Sequence, residues 1–155
     1  MSEVTVISEI LGKTISDIKA EKRGEEIMFS FTDDSQCIFK HNQYCCEDVH
    51  IDDIIGELSD LIGEPLLMAE ETSDKDPDRD SGTWTFYKFA TVKGYVTFRW
   101  LGTSNGYYSE SVYWYIKTAE EILQEQEREE YRKKQALEYK NQCFNTRRPL
   151  KKQLK

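Results

Sequence analysis

Thr83-Trp-Thr-Phe-Tyr-Lys-Phe-Ala-Thr-Val-Lys-Gly-Tyr-Val-Thr-Phe-Arg-Trp-Leu101 decides the fold. Both arms are rich in Thr, Val and aromatic residues, which fit a pleated, half-buried surface, and Lys93-Gly94 between them reads as a two-residue hairpin turn. With Val92 facing Tyr95, Phe89 falls opposite Phe98 and Tyr87 opposite Trp100 on one face, while Lys88 opposes Arg99 on the other. The first face reads as core. Upstream, Thr14 to Lys22, Glu26 to Thr32 and Gln36 to Gln43 read as strands punctuated by Arg23-Gly24 and Asp33-Asp34-Ser35, with Ile27, Phe29 and Phe31 sharing a buried face. Downstream, after a polar loop with the turn signal Asn105-Gly106, Ser111 to Lys117 carries Val112, Trp114 and Ile116 alternating with Tyr113 and Tyr115, so both of its faces call for cover.

Two segments read as helices. Ile51, Ile54, Ile55, Leu58, Leu61 and Ile62 recur at helical spacing, with Asp52 and Asp53 at the favourable end and Gly63 and Pro65 as stop signals. Thr118 followed by Glu121 has capping-box spacing, and Ala119 to about Asn141 consists of strong helix formers with a thin apolar stripe (Ile122, Leu123, Leu137, Phe144). With such a stripe the helix either projects, pairs with a second copy, or meets another protein. The expected architecture is α+β: an antiparallel meander sheet of about six strands, one packed amphipathic helix, and a long charged C-terminal helix. Residues 1–118 form the domain and 119–155 the helix with a basic tail.

A chain of 155 residues is long enough for one domain with its own core. Aromatic content of 12% argues against disorder, and a mean hydropathy of −0.71 argues against a membrane protein. Met1 to Ile10 lacks the basic start and apolar middle of a signal peptide, which points to a cytoplasmic location. Of the four cysteines, Cys45 and Cys46 are adjacent, poor material for a disulfide framework, so all four read as thiols.

Charge is unevenly spread. Residues 1–118 hold 11 Lys/Arg against 22 Asp/Glu, and residues 119–155 hold 10 against 7. From Glu47 to Asp80 there are 13 acidic residues against Lys75 and Arg79, and Thr72 to Ser81, with Pro77 inside it, reads as an acidic mobile loop. Such a body repels duplex nucleic acid, leaving only Arg147, Arg148, Lys151, Lys152 and Lys155 to bind it.

Three constellations could carry chemistry. His41, Cys45, Cys46 and His50 offer soft ligands for zinc, although their spacing matches no known finger, and the same residues satisfy the composition of a Cys-His pair. Glu47, Asp48, Asp52 and Asp53 could surround a divalent cation, as in a nuclease, but the acidic body opposes a nucleic-acid substrate. Lys88 opposite Arg99 is unfavourable unless an anion lies between them, and Trp84, Phe86, Tyr95 and Leu101 line that face, a recess suited to an anionic nucleotide. The opposing reading is a carboxylate from Glu70, Glu71 or Glu110, or a shifted register.

The strings His41-Asn-Gln-Tyr-Cys-Cys-Glu47, Gly63-Glu-Pro-Leu-Leu-Met-Ala-Glu70, Gly82-Thr-Trp-Thr-Phe-Tyr-Lys-Phe-Ala-Thr91, Gly94-Tyr-Val-Thr-Phe-Arg-Trp100 and Ser104-Asn-Gly-Tyr-Tyr-Ser-Glu-Ser111 resemble a family of small uncharacterised proteins carried by bacteriophages and their bacterial hosts. The resemblance spans about Ile10 to Ile116. It implies a phage context and carries no activity with it.

No motif fixes a reaction, so the expectation is a non-enzymatic protein without cofactor. The leading class is a phage accessory protein that binds and inhibits a host antiviral-defence factor. Its contacts would be the acidic residues Asp74, Asp76, Asp78 and Asp80 and the C-terminal helix through Arg128 and Arg132. The alternatives are a protein that sequesters an anionic nucleotide signal at Lys88, Arg99, Trp84 and Tyr95, oligomeric through the last helix, and a structural or virion-cargo protein.

Overall fold

In β2 (Glu26–Phe31), Ile27, Phe29 and Phe31 are buried while Met28 and Ser30 are only partly covered, the period-two pattern of a strand with one face in a core. The computed structural model describes residues 6–147; the expected basic-tail residues Arg148, Lys151, Lys152 and Lys155 lie outside them. Strands β1 (Ile15–Lys19), β2, β3 (Gln36–Lys40) and β8 (Tyr113–Lys117) form one antiparallel sheet in the order β1-β2-β3-β8. A second takes β4 (Asp48–Ile55), β7 (Gly94–Thr103), β6 (Thr83–Thr91) and β5 (Met68–Lys75) in the order β4-β7-β6-β5. The protein is therefore α+β, with eight strands in two sheets among the described residues rather than six in one meander.

The inner faces of the sheets meet through aromatic rings. Phe29 on β2 contacts Phe39 on β3 (centroids 5.3 Å apart) and, across the interface, Phe89 (5.0 Å) and Phe98 (5.9 Å); Phe39 meets Tyr87 at 4.9 Å. Most of these pairs are edge-on, the arrangement the ring quadrupole favours. Ile27, Ile51, Val96 and Trp100 complete the layer, and Tyr87 carries its hydroxyl to Glu71, 3.1 Å away.

The hairpin that decided the fold forms with its register moved by two residues. Thr91 pairs with Gly94, so Val92 and Lys93 are the loop, Tyr87 lies opposite Phe98, and Lys88 opposite Thr97. The cause is Lys93: its backbone N–H donates to the Thr91 hydroxyl, and its ammonium caps the carbonyls of Ser59 and Ile62 in a short 3₁₀ turn (Leu58–Leu61). A two-residue shift keeps every side chain on its face, so the core assignment survives.

The helix expected over Ile51 to Ile62 is absent, and its apolar spacing has another origin. Val49 and Ile51 face the core in alternation; the register of β4 on β7 then slips between Ile51 and Asp53, and Ile54 turns inward again. A strand with a bulge, followed by a 3₁₀ turn that buries Leu61, reproduces helical spacing without a helix. Between them Gly56 has φ 109°, and a Cβ there would lie 2.5 Å from the Tyr95 carbonyl oxygen. Asp52 and Asp53 cap no helix: Asp52 binds Arg99, and Asp53 binds Lys22 and accepts from the Ile54 N–H.

The acidic segment expected as a loop is largely strand. Thr72 to Lys75 pair with Phe86 to Thr83 along the sheet's edge, and only Asp76 to Gly82 turn. At an edge, Glu70, Asp74 and Lys75 discourage pairing with another chain. Thr118 closes the first of two units into which the chain divides; the second begins at Ala119 and holds α1 (Ala119–Arg147). Nearly all of α1 is exposed, including Leu123, Tyr131, Leu137 and Tyr139. No helix among the described residues is long and apolar enough to cross a membrane.

Phe29→Ala should destabilise the protein by about 3–5 kcal/mol, the usual range for a buried Phe truncated to Ala, whereas Val92→Ala in the exposed loop should stay within about 0.5 kcal/mol. Urea unfolding midpoints at unchanged slope give both numbers.

Candidate functional site

Two connections cross from one sheet to the other. Residues 41–47 lead from β3 to β4, and residues 104–112 lead from β7 to β8. Because β3 pairs with β8 (Lys40 opposite Tyr113) and β4 with β7 (Asp48 opposite Thr103), both crossings leave and arrive at the same end. Thr83 pairs with Gly102, which sets the β5–β6 turn beside them. Three loops therefore gather in one place.

The 41–47 loop folds around a buried contact between His41 and Glu47. His41 Nε2 lies 3.0 Å from Glu47 Oε1, with both side chains almost fully covered, and His41 Nδ1 lies 2.7 Å from the Ser111 carbonyl oxygen. Both ring nitrogens of His41 therefore face an oxygen partner. The Glu47 carboxylate also accepts from the backbone N–H groups of Tyr44 and Cys45, and Gln43 donates to the Glu47 carbonyl. The His41 hydrogen bond leads these contacts in holding the Glu47 carboxyl down at about 2.

The 104–112 loop is wired to itself and to the turn beside it. Glu110 accepts from Thr83 (2.9 Å) and Ser104 (2.8 Å), and the Ser81 hydroxyl, which reaches the Ser104 carbonyl, lies 3.1 Å from it. Side-chain oxygens of Ser104, Asn105 and Ser109 accept from the backbone N–H groups of Gly106, Tyr107 and Ser111. A Cβ on Gly102 would lie 2.5 Å from the Glu110 carbonyl oxygen, so the loop sits on β7 as closely as backbone permits. In the turn, Asp76 is buried, accepts from the Asp78 N–H and pairs with Arg79. Between turn and loop runs a polar cleft of about 300 Å³ lined by Asp76, Arg79, Ser81, Ser104, Tyr108 and Glu110.

On this framework stand exposed tyrosines. Tyr44 and Tyr107 are each 84% exposed, and Tyr108 lies between them, 5.7 Å from the Tyr44 ring and 5.1 Å from that of Tyr107. Cys45 and Cys46 are exposed beside Tyr108. None of these tyrosines stood out in the sequence, although the Ser, Asn, Gly and Tyr content of residues 104–109 was the available signal.

The sequence-derived constellations fare differently. His50 turns to Asp48 (3.0 Å) and His41 to Glu47, and among the described residues no three His, Cys, Asp or Glu side chains converge to hold a metal ion. His41 directs its two ring nitrogens to Ser111 and Glu47, so neither is turned to Cys45 or Cys46 as a catalytic base would be. Lys88 and Arg99 share the outer face of the second sheet but are diagonal neighbours. Lys88 lies directly opposite Glu70, and Arg99 binds Asp52 through Nε (2.9 Å) and Nη2 while covering the Trp84 ring at 5.3 Å. Tyr95 sits opposite Ala90, six residues and about 20 Å along β6 from Trp84, so the four do not form one recess. Asp74, Asp78 and Asp80 are exposed, whereas buried Asp76 is a turn-former. Arg128 and Arg132 lie one turn apart on α1 beside Glu125 and Glu129.

The acid sensitivity of the fold follows from the carboxylates held down. Glu47, and Asp33 through its hydrogen bonds from Ser35 and Lys13, stand at about 2 in the folded protein, below their ordinary 4.5 and 3.8. A depressed carboxyl contributes stability in full above its unfolded value and loses it as pH falls toward the folded value. Urea unfolding from pH 7 to 2 should show stability falling below about pH 4.5. Glu47→Gln should be less stable at pH 7 and show a shallower acid limb; a limb of unchanged slope would show that the Glu47 charge is not what the loop depends on.

No curated protein and no solved structure matches the chain. Residues 8–114 match the family described as a domain of unknown function, DUF7448, a span that runs from before β1 into β8, contains all three loops and stops short of α1. The chain belongs to the DUF7448 family.

Proposed function

We propose that this protein works by binding another protein, and that its contact surface is the three-loop end carrying Tyr44, Tyr107 and Tyr108. The observation that carries this reading is the exposure of two tyrosines at 84% on loops whose backbone is internally hydrogen-bonded. Tyrosine offers a large, rigid contact with only two side-chain torsions to freeze, and Ser, Gly and Asn supply adaptable hydrogen bonds, the composition of antibody recognition loops. Residues 104–109, Ser-Asn-Gly-Tyr-Tyr-Ser, have that composition.

The strong negative balance of residues 1–118 and the exposed carboxylates of Asp78 and Asp80 in the neighbouring turn favour a basic partner surface and a salt-sensitive association rate. Combined with the resemblance to phage-borne proteins, this supports a non-enzymatic accessory protein that occupies and so inhibits a host factor, with Arg128 and Arg132 on α1 as a second contact. Sequestration of an anionic nucleotide at Lys88 and Arg99 has less support, because Glu70 and Asp52 already face those cations.

The test is pull-down from host lysate with wild-type protein and a Tyr44→Ala/Tyr107→Ala double variant, followed by affinity measurement on the captured partner. Each tyrosine should act as a hot spot of about 2 kcal/mol, near 30-fold in Kd, with the thermal midpoint unchanged. Asp78→Lys/Asp80→Lys should slow association chiefly at low salt. Equal capture by the double variant would overturn the placement of the surface.

A further inference from the structure

The Sγ atoms of Cys45 and Cys46 are 2.7 Å apart, most of the way to the about 2.05 Å of a disulfide, and both thiols are exposed. We propose that Cys45 and Cys46 form a reversible thiol-modification site, oxidised by a hydroperoxide to an intramolecular disulfide, with Cys45 as the attacking sulfur and Cys46 as the resolving one. The other cysteines do not share this setting. Cys37 is buried in the core between the sheets, where loss of water pushes its thiol up to about 12, and Cys143 lies on α1.

The two sulfurs are made unequal by their surroundings. The Cys46 thiol, and then the Tyr108 hydroxyl, lower the Cys45 thiol against the opposing pull of Glu47, whereas Cys46 is raised chiefly by its interaction with Cys45. A thiolate is the nucleophile, so reaction begins at Cys45. Its sulfur attacks one peroxide oxygen, the O–O bond breaks, and the alcohol or water leaves with the electron pair and a proton, giving a sulfenic acid. Cys46 then attacks that sulfur, its proton leaving with the hydroxyl as water. Two thiols and one hydroperoxide thus become one disulfide, one alcohol and one water, the peroxide having taken two electrons.

Adjacency makes the product labile. Consecutive Cα atoms are about 3.8 Å apart across a trans peptide, below the 4.4–6.8 Å that disulfides usually span, so the bond is strained. Strained, exposed disulfides have high reduction potentials and are readily opened again by thiols. The site is thus suited to a signal and ill suited to a staple.

The full-length chain, folded, is treated with hydrogen peroxide, quenched with an alkylating agent and mapped without reduction. The expected product is a Cys45–Cys46 peptide lighter by two hydrogens and restored by dithiothreitol, formed faster than in the urea-unfolded chain. Cys46→Ser should leave a sulfenic acid at Cys45 that dimedone traps, while Cys45→Ser should trap little at Cys46. Equal rates in folded and unfolded chains, oxidation of Cys143 ahead of the pair, or intermolecular links from Cys45 in place of the internal one would each overturn it. Phenylarsine oxide, which bridges two neighbouring thiols, should block the reaction in the wild type; persistence of full reactivity under it would also count against the paired site.

Discussion

The antiparallel pairing of β3 with β8 and of β4 with β7 is the constraint on which the three-loop end depends. Each pair joins strands distant in sequence, and each sheet receives one strand from either crossing, so the chain must pass between sheets twice at the same edge of the core. Loops brought together this way are positioned by two four-stranded sheets whose aromatic faces interlock, a scaffold that can carry polar, exposed residues without bending to suit them. The price is a set of backbone donors near the surface that strands cannot satisfy, and side chains from Glu47, Ser104, Asn105 and Ser109 take them up.

What was legible in the sequence was governed by one-sided burial. β2, β6 and β7 alternate because one face meets the opposite sheet, and that signal named Phe29, Tyr87, Phe89, Phe98 and Trp100 as core without any knowledge of the partner sheet. Register was not legible, because it is set by Lys93 reaching carbonyls of a turn some 30 residues earlier, and hairpin sequence alone contains nothing of that contact. The mistaken helix has the same origin in a different guise. A bulge at Asp52 adds one residue to a period of two, and 51, 54, 58, 61 then reads as a period near 3.6.

The site was less legible than the fold because its residues are defined by who neutralises whom. Composition around His41 and Cys45 suited zinc until Glu47 claimed the histidine; Lys88 and Arg99 suited an anion until Glu70 and Asp52 stood beside them. Several cations of residues 1–118 meet a carboxylate, as Lys13 does with Asp33 and Lys22 with Asp53. Such exposed pairs contribute little stability, typically under about 1 kcal/mol, and the 22 Asp/Glu against 11 Lys/Arg of residues 1–118 leave that part of the chain net negative. Under the function proposed above, a surface of that kind selects partners by sign before it selects them by shape.

Under the same reading, shape is supplied by rings that the core does not enclose. Tyr44 and Tyr107 expose large apolar rings to water, and the loops below them use buried carboxylate and hydroxyl hydrogen bonds to keep the rings from collapsing onto the core. Freezing a loop at the moment of binding costs about 1–2 kcal/mol per backbone residue, and a loop already hydrogen-bonded avoids most of that. The same rigidity holds two thiols next to one another where the solvent reaches them, so a change of oxidation state at Cys45 acts directly on the backbone N–H that Glu47 holds, one residue from Tyr44.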